Sequence, residues 1–277
     1  MEKCAVAVIA ERALLETQQA FDGVAAEYDQ SNASNTTLCA MRRRVLEAVR
    51  RQVGPGARLL DLGCGPGCDA ESLGRAGYRV TAIDWSRAMV DEARRRMSRA
   101  GLQDRVDVRH LGIHEIDRLP AFAFDAAYSN FGPLNCVLDL ADAARHIARR
   151  LRHGGVLITS VIGRVCPWEI ALYLAGGRWS RVAVRFRRGL VPVPLDRGTV
   201  WTRYYTPGGF ERIFAAAGFT RVSLRTLGLF APPPYLQAFA GRHPRLIAAL
   251  QRVEDRAGGW PAIRAWGDHF LIVLRKA

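Results

Sequence analysis

Leu59-Leu60-Asp61-Leu62-Gly63-Cys64-Gly65-Pro66-Gly67 is an apolar run that meets an acid and then breaks into glycine at every second position. Glycine at that density lets a backbone turn tightly and approach a ligand with no Cβ in the way. The run before it reads as a buried strand, and residues 69–75 after it read as the start of a helix. A second apolar run, over 78–83, ends in another acid, Asp84, twenty-one residues beyond Gly63. Strand, glycine turn, helix and a strand ending in an acid are the sequence form of a nucleotide-binding βαβ unit. The glycines alone leave the nucleotide open.

Toward the N-terminus, residues 1–36 carry a helical pattern (Ala10, Leu14, Ala20, Phe21), and the polar run Ser31-Asn32-Ala33-Ser34-Asn35 is expected to break it. Leu38, Met41, Val45, Leu46 and Val49 recur at helical spacing over 37–53, and Gly54-Pro55-Gly56 stops that helix. Toward the C-terminus, Ser86 is an N-cap for a helix over 87–100, with Met89, Val90, Ala93 and Met97 on one face and Gly101 as its stop. Further strands are expected at 106–110, 124–129 and 156–161, with a helix over 138–151 before the last of them. Near-continuous apolar strands separated by amphipathic helices predict a parallel sheet covered on both faces. Beyond Ile162 the pattern loses its regularity: 163–200 mixes Trp168, Tyr173 and Trp179 with arginines and Val191-Pro192-Val193-Pro194. That stretch is too long for a plain connection and too apolar for a disordered linker, so it reads as a cap over the sheet's C-terminal edge. Thr206-Pro207 opens a helix, 219–227 is a strand, 232–266 inserts more helix, and 269–274 is the last strand.

The chain has 277 residues, 49% apolar and 24% charged, enough for one large domain with a real core. No apolar run reaches the roughly 20 residues of a bilayer span. The short stretch 4–10 lacks a cationic lead-in, so no signal peptide is expected and the address implied is the cytoplasm. A net charge of +14 invites a nucleic-acid reading. Lysine, however, stands only at Lys3 and Lys276, and the arginines are dispersed, densest at 42–44, 94–96 and 185–188. Solvated faces from a biased composition explain that better than a nucleic-acid surface. The six cysteines form no CxxC pair and no metal-ligand spacing, so free thiols and no metal are expected.

Two features separate the glycine turn from a dinucleotide fingerprint. That fingerprint wants its third glycine three residues after the second, whereas Pro66-Gly67 follows Gly65 directly and Cys68 holds the later place. Asp61 lies just upstream, where it would repel a pyrophosphate but could accept bonds from a cationic or amino-bearing ligand. With these, Ile83-Asp84-Trp85-Ser86, Phe124-Asp125-Ala126-Ala127-Tyr128-Ser129-Asn130-Phe131-Gly132, Leu151-Arg152-His153-Gly154-Gly155-Val156-Leu157 and the lead-in from Phe21 to Asp29 make a set. The set resembles the class I S-adenosylmethionine-dependent methyltransferases, well over about residues 20–162 and beyond that by topology only.

The resemblance implies an α/β, Rossmann-like methyltransferase sheet, mostly parallel with an antiparallel last strand, and helices on both faces. It implies a helical lid over 1–53 and a methyltransferase domain over 54–277, with cap insertions at about 163–200 and 228–266. The cofactor would be S-adenosyl-L-methionine. By the same resemblance, Gly63, Cys64, Gly65 and Gly67 would line its methionine part with Asp61 nearby. Asp84 would take the ribose hydroxyls, Trp85 and Met89 would pack near the adenine, and Asn130 and Phe131 would border the transferring methyl. Tyr28 reads equally as a core aromatic or as a lid over the cofactor. The family's adenine-reading acid is missing at Gly112, so the backbone of Ile113, or His114 or Glu115, would serve.

A sulfonium methyl is already activated, so the enzyme mainly aligns a nucleophile and excludes water. For a hydroxyl acceptor, His114, Tyr204 and Tyr205 are the candidate bases. No Asn/Asp-Pro-Pro-aromatic tetrad follows the fourth strand, which argues against base-directed N-methylation. A capped, aromatic-rich third favours a small-molecule acceptor, natural-product or lipid-like, in an enclosed pocket of a monomer or homodimer. An RNA methyltransferase, an NAD-dependent oxidoreductase and a cofactor sensor are the alternatives.

Overall fold

The computed structural model describes residues 2–196 and 198–277, with side chains from residue 11 onward other than those of Gln30, Ser31 and Ala33. Cys4 and the stretch 4–10 therefore lie outside the described side chains. Five strands alternate with helices: β1 (Arg58–Leu62), β2 (Arg79–Asp84), β3 (Val106–His110), β4 (Phe124–Ser129) and β5 (Leu151–Ile162). Two more, β8 (Phe219–Leu227) and β9 (His269–Lys276), complete a seven-stranded sheet in the order β3-β2-β1-β4-β5-β9-β8. Only β9 runs against its neighbours, pairing antiparallel with both β5 and β8. The expected mostly parallel sheet with an antiparallel last strand is the one formed.

Helices α1 (Glu2–Ala33), α2 (Thr36–Gln52), α3 (Cys68–Arg75), α4 (Arg87–Ala100) and α5 (Leu140–Arg150) occupy the N-terminal half. Strand alternation decides which face each residue buries. Leu60 and Leu62 pack with α5 residues such as Ile147, while Leu59 packs with Met41, Val45 and Val49 of α2. The Ser86 hydroxyl accepts from Met89 N–H at 3.1 Å, and Gly101 ends α4 in the left-handed region, as its sequence implies. Helix α1 runs on through the first three residues of the polar run and ends at Ala33, and the last residue of that run has a second job. Asn35 Oδ1 accepts from the amides of Thr37 and Leu38 and so starts α2.

The irregular stretches form α6 (Pro167–Ala175), α7 (Trp179–Val182) and an antiparallel hairpin of β6 (Val191–Leu195) and β7 (Gly198–Thr202). Alternate prolines at 192 and 194 leave their missing donors on one edge, which a two-stranded ribbon tolerates. The hairpin leans on α1: Trp201 N–H donates to Thr17 Oγ1 at 3.0 Å and its indole to Glu16 Oε2 at 2.7 Å. A Cβ on Gly198 would stand 2.6 Å from that of Ala20, so glycine allows the contact. After α8 (Pro207–Ala215) and β8, the stretch 228–266 carries α9 (Gln237–Arg242) and α10 (Pro244–Ala257). It packs against α2 and contributes nothing to the cavity at the strand ends.

One buried charge cluster holds that docking. Glu254 of α10 is fully buried and accepts from the amides of Gly228, Leu229 and Phe230 and from Arg44 Nη1 at 3.1 Å. Arg44 Nε also reaches Asp255 Oδ1 at 2.7 Å. Removing one partner of a buried pair strands the other charge. Glu254→Ala should therefore lower unfolding free energy by about 3–5 kcal/mol in urea titration. A loss below about 1 kcal/mol would show that water replaces the carboxylate without cost.

Candidate active site

Sheet order reverses between β1 and β4, and the crevice outside their carboxyl ends is where ligands of such sheets bind. The glycine turn fills its floor. Gly63 has φ +83° and Gly65 φ +51°, both left-handed. At Gly63 a Cβ would meet Pro133 Cβ at 2.5 Å, whereas at Gly65 it would project into space free of any heavy atom within 4 Å. The first glycine is thus demanded by packing, and the second leaves a cradle open. Gly65 N–H donates to Asp84 Oδ2 and Ser86 N–H to Asp84 Oδ1, each at 2.8 Å. Burial pushes the Asp84 carboxyl above the usual range while these two amides pull it back. Each of its oxygens keeps a lone pair for a further donor.

A cavity of about 430 Å³ opens above this floor, within the roughly 300–1,000 Å³ of small-molecule sites. Ile83 of β2, Trp85 just after it, Met89 of α4, and Leu111, Ile113 and His114 just after β3 make a mostly apolar slot. Trp85 stacks on His110 with ring centres 5.9 Å apart and meets the edge of His114 at 4.6 Å.

A connected polar chain runs beneath the opposite side. Arg42 of α2 pairs with Asp69 at 2.8 Å, Asn130 Nδ2 donates to Asp69 Oδ2 at 2.9 Å, and Ser160 Oγ donates to Asn130 Oδ1 at 2.9 Å. Ser160 Oγ in turn accepts from Phe131 N–H at 2.7 Å. This holds Phe131 at φ +61°, uncommon for a bulky residue, with the Arg42 guanidinium 5.3 Å over its ring. Burial works against the Arg42 charge, yet Asp69 holds its pKa above the ordinary value. A half-buried cation facing the cavity suits a carboxylate.

Helix α1 closes the roof with Leu14, Phe21 and Tyr28, spaced seven apart and so on one face. Its acids tie it down. Asp22 Oδ1 accepts from Ser86 Oγ at 2.5 Å and Ala88 N–H at 3.1 Å, and Gln18 Nε2 donates to Trp85 O at 2.9 Å. Asp29 accepts from the Cys68 thiol at 2.7 Å and pairs with Arg96. The remaining wall is Pro133, Val137, Leu138, Ile162 and Val200, with Cys136 and Thr202. Burial pushes the Cys136 thiol up to about 11, so it stays protonated. Asp139 and Asp142 at this rim are engaged, the first capping α5 and the second paired with Arg145.

Of the residues expected at a site, Tyr28, Gly63, Cys64, Gly65, Asp84, Trp85, Met89, Ile113, His114, Asn130 and Phe131 all line this cavity. Gly67 does not; it packs on Ala93. Gly112 does not either, its bare backbone making room for the His114 ring. Asp61 lies beneath the floor, 2% exposed, accepting from Tyr128 Oη at 2.7 Å across the parallel β1–β4 pair. It does not line the cavity, because strand alternation turns it, like Leu59, toward α2 and α3. Tyr204 and Tyr205 are buried elsewhere, under Arg185 and against Phe210. His114 sits against Trp85 in the β2–β3 slot, away from the β4–β5 wall. Arg42, Asp69, Asp22 and Asp29 were not expected. Arg42 had a signal: it lies beside Met41 and three residues before Val45, on the buried stripe of α2. Among the described residues no group of three or more His, Cys, Asp or Glu side chains could hold a metal.

Residues 59–155 match the family model of a methyltransferase domain. A ubiquinone biosynthesis O-methyltransferase of Methylocella silvestris is 34% identical over 163 residues, 58% of this chain and 57% of that protein. The chain thus spans little more than half the length of that relative. The 1,6-didemethyltoxoflavin-N1-methyltransferase of Burkholderia thailandensis, solved with 1,6-didemethyltoxoflavin and S-adenosylhomocysteine, superposes with TM-score 0.59 at 19% identity, covering 96% of this chain and 89% of that one. A geranyl diphosphate methyltransferase solved with GPP and sinefungin gives 0.57 at 17% identity, covering 86% and 77%.

The buried Asp61 has a measurable signature. Burial, reinforced by the Asp69 charge, pushes its carboxyl well above the usual range, with the Tyr128 bond pulling the other way. A carboxyl raised in the fold contributes stability while protonated, and that contribution is lost as pH rises through its folded value. Asparagine keeps an oxygen for Tyr128 and has no charge to bury. Asp61→Asn should gain stability over the native chain in urea unfolding as pH rises above the ordinary carboxylate value of about 4, by about 1.4 kcal/mol for each unit by which burial raises the folded value. Parallel stability-versus-pH curves for the two proteins would contradict the buried-charge account.

Proposed function

We propose that this chain, whose residues 59–155 are a class I S-adenosylmethionine-dependent methyltransferase domain, methylates a hydroxyl oxygen on a small, uncharged, lipid-like molecule. The observation that carries the reading is the contrast between the two sides of one cavity. Asp84, the open cradle at Gly65 and Arg42 are polar and fixed; the wall of Pro133, Val137, Leu138, Ile162 and Val200 is apolar, with the carboxylates of Asp139 and Asp142 only at its rim.

The residues present fit the cofactor. Asp84 would accept from the two ribose hydroxyls while its bonds to the Gly65 and Ser86 amides hold it still. Ile83, Trp85, Met89 and Ile113 would sandwich the adenine, read at its edge by the backbone near Ile113 and His114. Arg42 would meet the carboxylate of the methionine portion, and Asn130, tied to Asp69 and Ser160, would shape the wall beside it. Bound there, the cofactor supplies a methyl on a positively charged sulfur. The chain's own part is alignment and dryness: α1 roofs the cavity, and the apolar wall orients an apolar acceptor. The Cys136 thiol is held protonated and the rim aspartates are engaged, so no free strong base faces that wall among the described residues. An acceptor whose hydroxyl ionises readily, a phenol or enol, therefore suits it best. The O-methyltransferase name of the Methylocella silvestris relative supports oxygen as the acceptor atom.

Calorimetry tests the cofactor assignment. S-Adenosylhomocysteine should bind and NAD should not; Asp84→Ala should weaken the former by roughly 100-fold or more, two charge-assisted bonds being lost. Arg42→Ala should cost roughly tenfold for S-adenosylhomocysteine and nothing for methylthioadenosine, which lacks the carboxylate. Equal losses for both ligands would remove Arg42 from that role. For the acceptor, labelled methyl should pass to alkyl-substituted phenols and be retained as an ether. Transfer only to amines or to RNA would overturn the reading.

A further inference from the structure

Helices α6 and α7 do not behave as parts of a soluble fold. Neither has a buried residue, although α6 (Pro-Trp-Glu-Ile-Ala-Leu-Tyr-Leu-Ala) is almost wholly apolar. Leu172, Leu174, Trp179 and Phe186 are exposed, Trp179 by 70% and Phe186 by 45%. Interleaved with them, Arg178, Arg181, Arg187 and Arg188 are exposed too and have no acidic partner among the described residues. The one acid of the segment, Glu169, is turned inward against Arg185.

The segment is nonetheless a built platform. Arg185 is buried, pairs with Glu169, donates to Asp268 Oδ1 at 2.6 Å and reaches Gly163 O at 3.0 Å. It thereby ties the start of α6 and the stretch after α7 to the end of β5 and the start of β9. Trp168 Nε1 donates to Leu229 O at 2.9 Å. Side chains that order inward, beneath a face that stays apolar and cationic outward, need an outside partner.

From these observations we infer that the face made by α6, α7 and residues 183–188 docks on an anionic lipid bilayer surface. Tryptophan, phenylalanine and leucine enter the headgroup–acyl boundary, and long arginines keep their heads among lipid phosphates. No helix among the described residues is long and apolar enough to cross a membrane, so the contact is with one leaflet. A second copy of this chain is a poorer occupant, because a twofold contact through this face would set arginines against arginines. RNA is poorer too, since exposed leucines have nothing to stack on. The platform runs directly into the β6–β7 hairpin, which supplies Val200 and Thr202 to the cavity wall. A lipid-like acceptor would thus be presented at the membrane. That last link rests on the proposed reaction; the docking does not.

Flotation of the full chain with vesicles tests it. Binding is expected to phosphatidylglycerol–phosphatidylcholine vesicles, to fall with salt, and to be weak on phosphatidylcholine alone. Each of Arg178→Glu, Arg181→Glu, Arg187→Glu and Arg188→Glu should cost roughly fivefold or more in partitioning. Trp179→Ser with Phe186→Ser should cost roughly tenfold or more. S-Adenosylhomocysteine affinity, measured on the same variants, should be unchanged, which separates loss of docking from loss of fold or of the cofactor site. No binding to anionic vesicles, or binding that these variants leave intact, would overturn the inference. So would a dimer that Trp179→Ser dissociates without any vesicle binding, or retention on RNA in place of vesicles.

Discussion

The Asp84 carboxylate is the joint on which the site depends. Its two oxygens are each claimed by a backbone amide, Gly65 from the glycine turn and Ser86 from the start of α4. Those amides fix the carboxylate where β2 ends and pull its pKa back against the burial that raises it. Ser86 passes the constraint on, since its hydroxyl caps α4 and donates to Asp22 of α1. Floor, helix start and roof therefore share one short run of hydrogen bonds, and a change at any of the three reaches the others. Pre-formed polar groups of this kind spare a ligand the cost of ordering them.

The roof is held at both of its long sides. Toward α4 it is held by Asp22, Gln18 and Asp29, and toward the hairpin by Thr17 and Glu16. The hairpin and α1 thus complete each other: one supplies Val200 and Thr202, the other Leu14, Phe21 and Tyr28. The helices of 228–266 do a different task. By burying Glu254 against Arg44 they brace α2 from behind, and α2 carries Arg42 at the cavity two residues away.

Arginine links these regions. Each of the three densest arginine groups sends a member inward: Arg42 to Asp69 and Arg44 to Glu254, Arg96 to Glu71 and Asp29, Arg185 to Glu169 and Asp268. A positive chain of this composition need not mean a nucleic-acid surface, because several of its charges are internal struts. Arg178, Arg181, Arg187 and Arg188 are among those that remain outward and unpaired, and they stand beside exposed tryptophan and phenylalanine.

Local chemistry made most of the sheet legible. Ser86 and Gly101 bound α4, Thr206-Pro207 opens α8, and apolar runs mark β1 to β4, because caps, glycine stops and two-residue alternation act over a few positions. The turn at Gly63 and Gly65 and the acid at Asp84 were readable for the same reason: each is required by its neighbours in sequence. Asp61 was misplaced by proximity, since nearness to the turn in sequence does not stop it being buried with Leu59's face of the strand, against Tyr128. Tyr204 and Tyr205 lie near the sheet edge in sequence but turn away from the cavity. Arg42, Asp22 and Asp29 meet their partners across 27, 64 and 39 positions respectively (Asp69, Ser86 and Cys68). The sequence by itself determined the sheet, its glycine floor and the acid beside it. Only the tertiary structure decided which charges face the cavity, which face each other, and which helices are left with an apolar side uncovered, because those outcomes depend on packing between elements far apart in the chain.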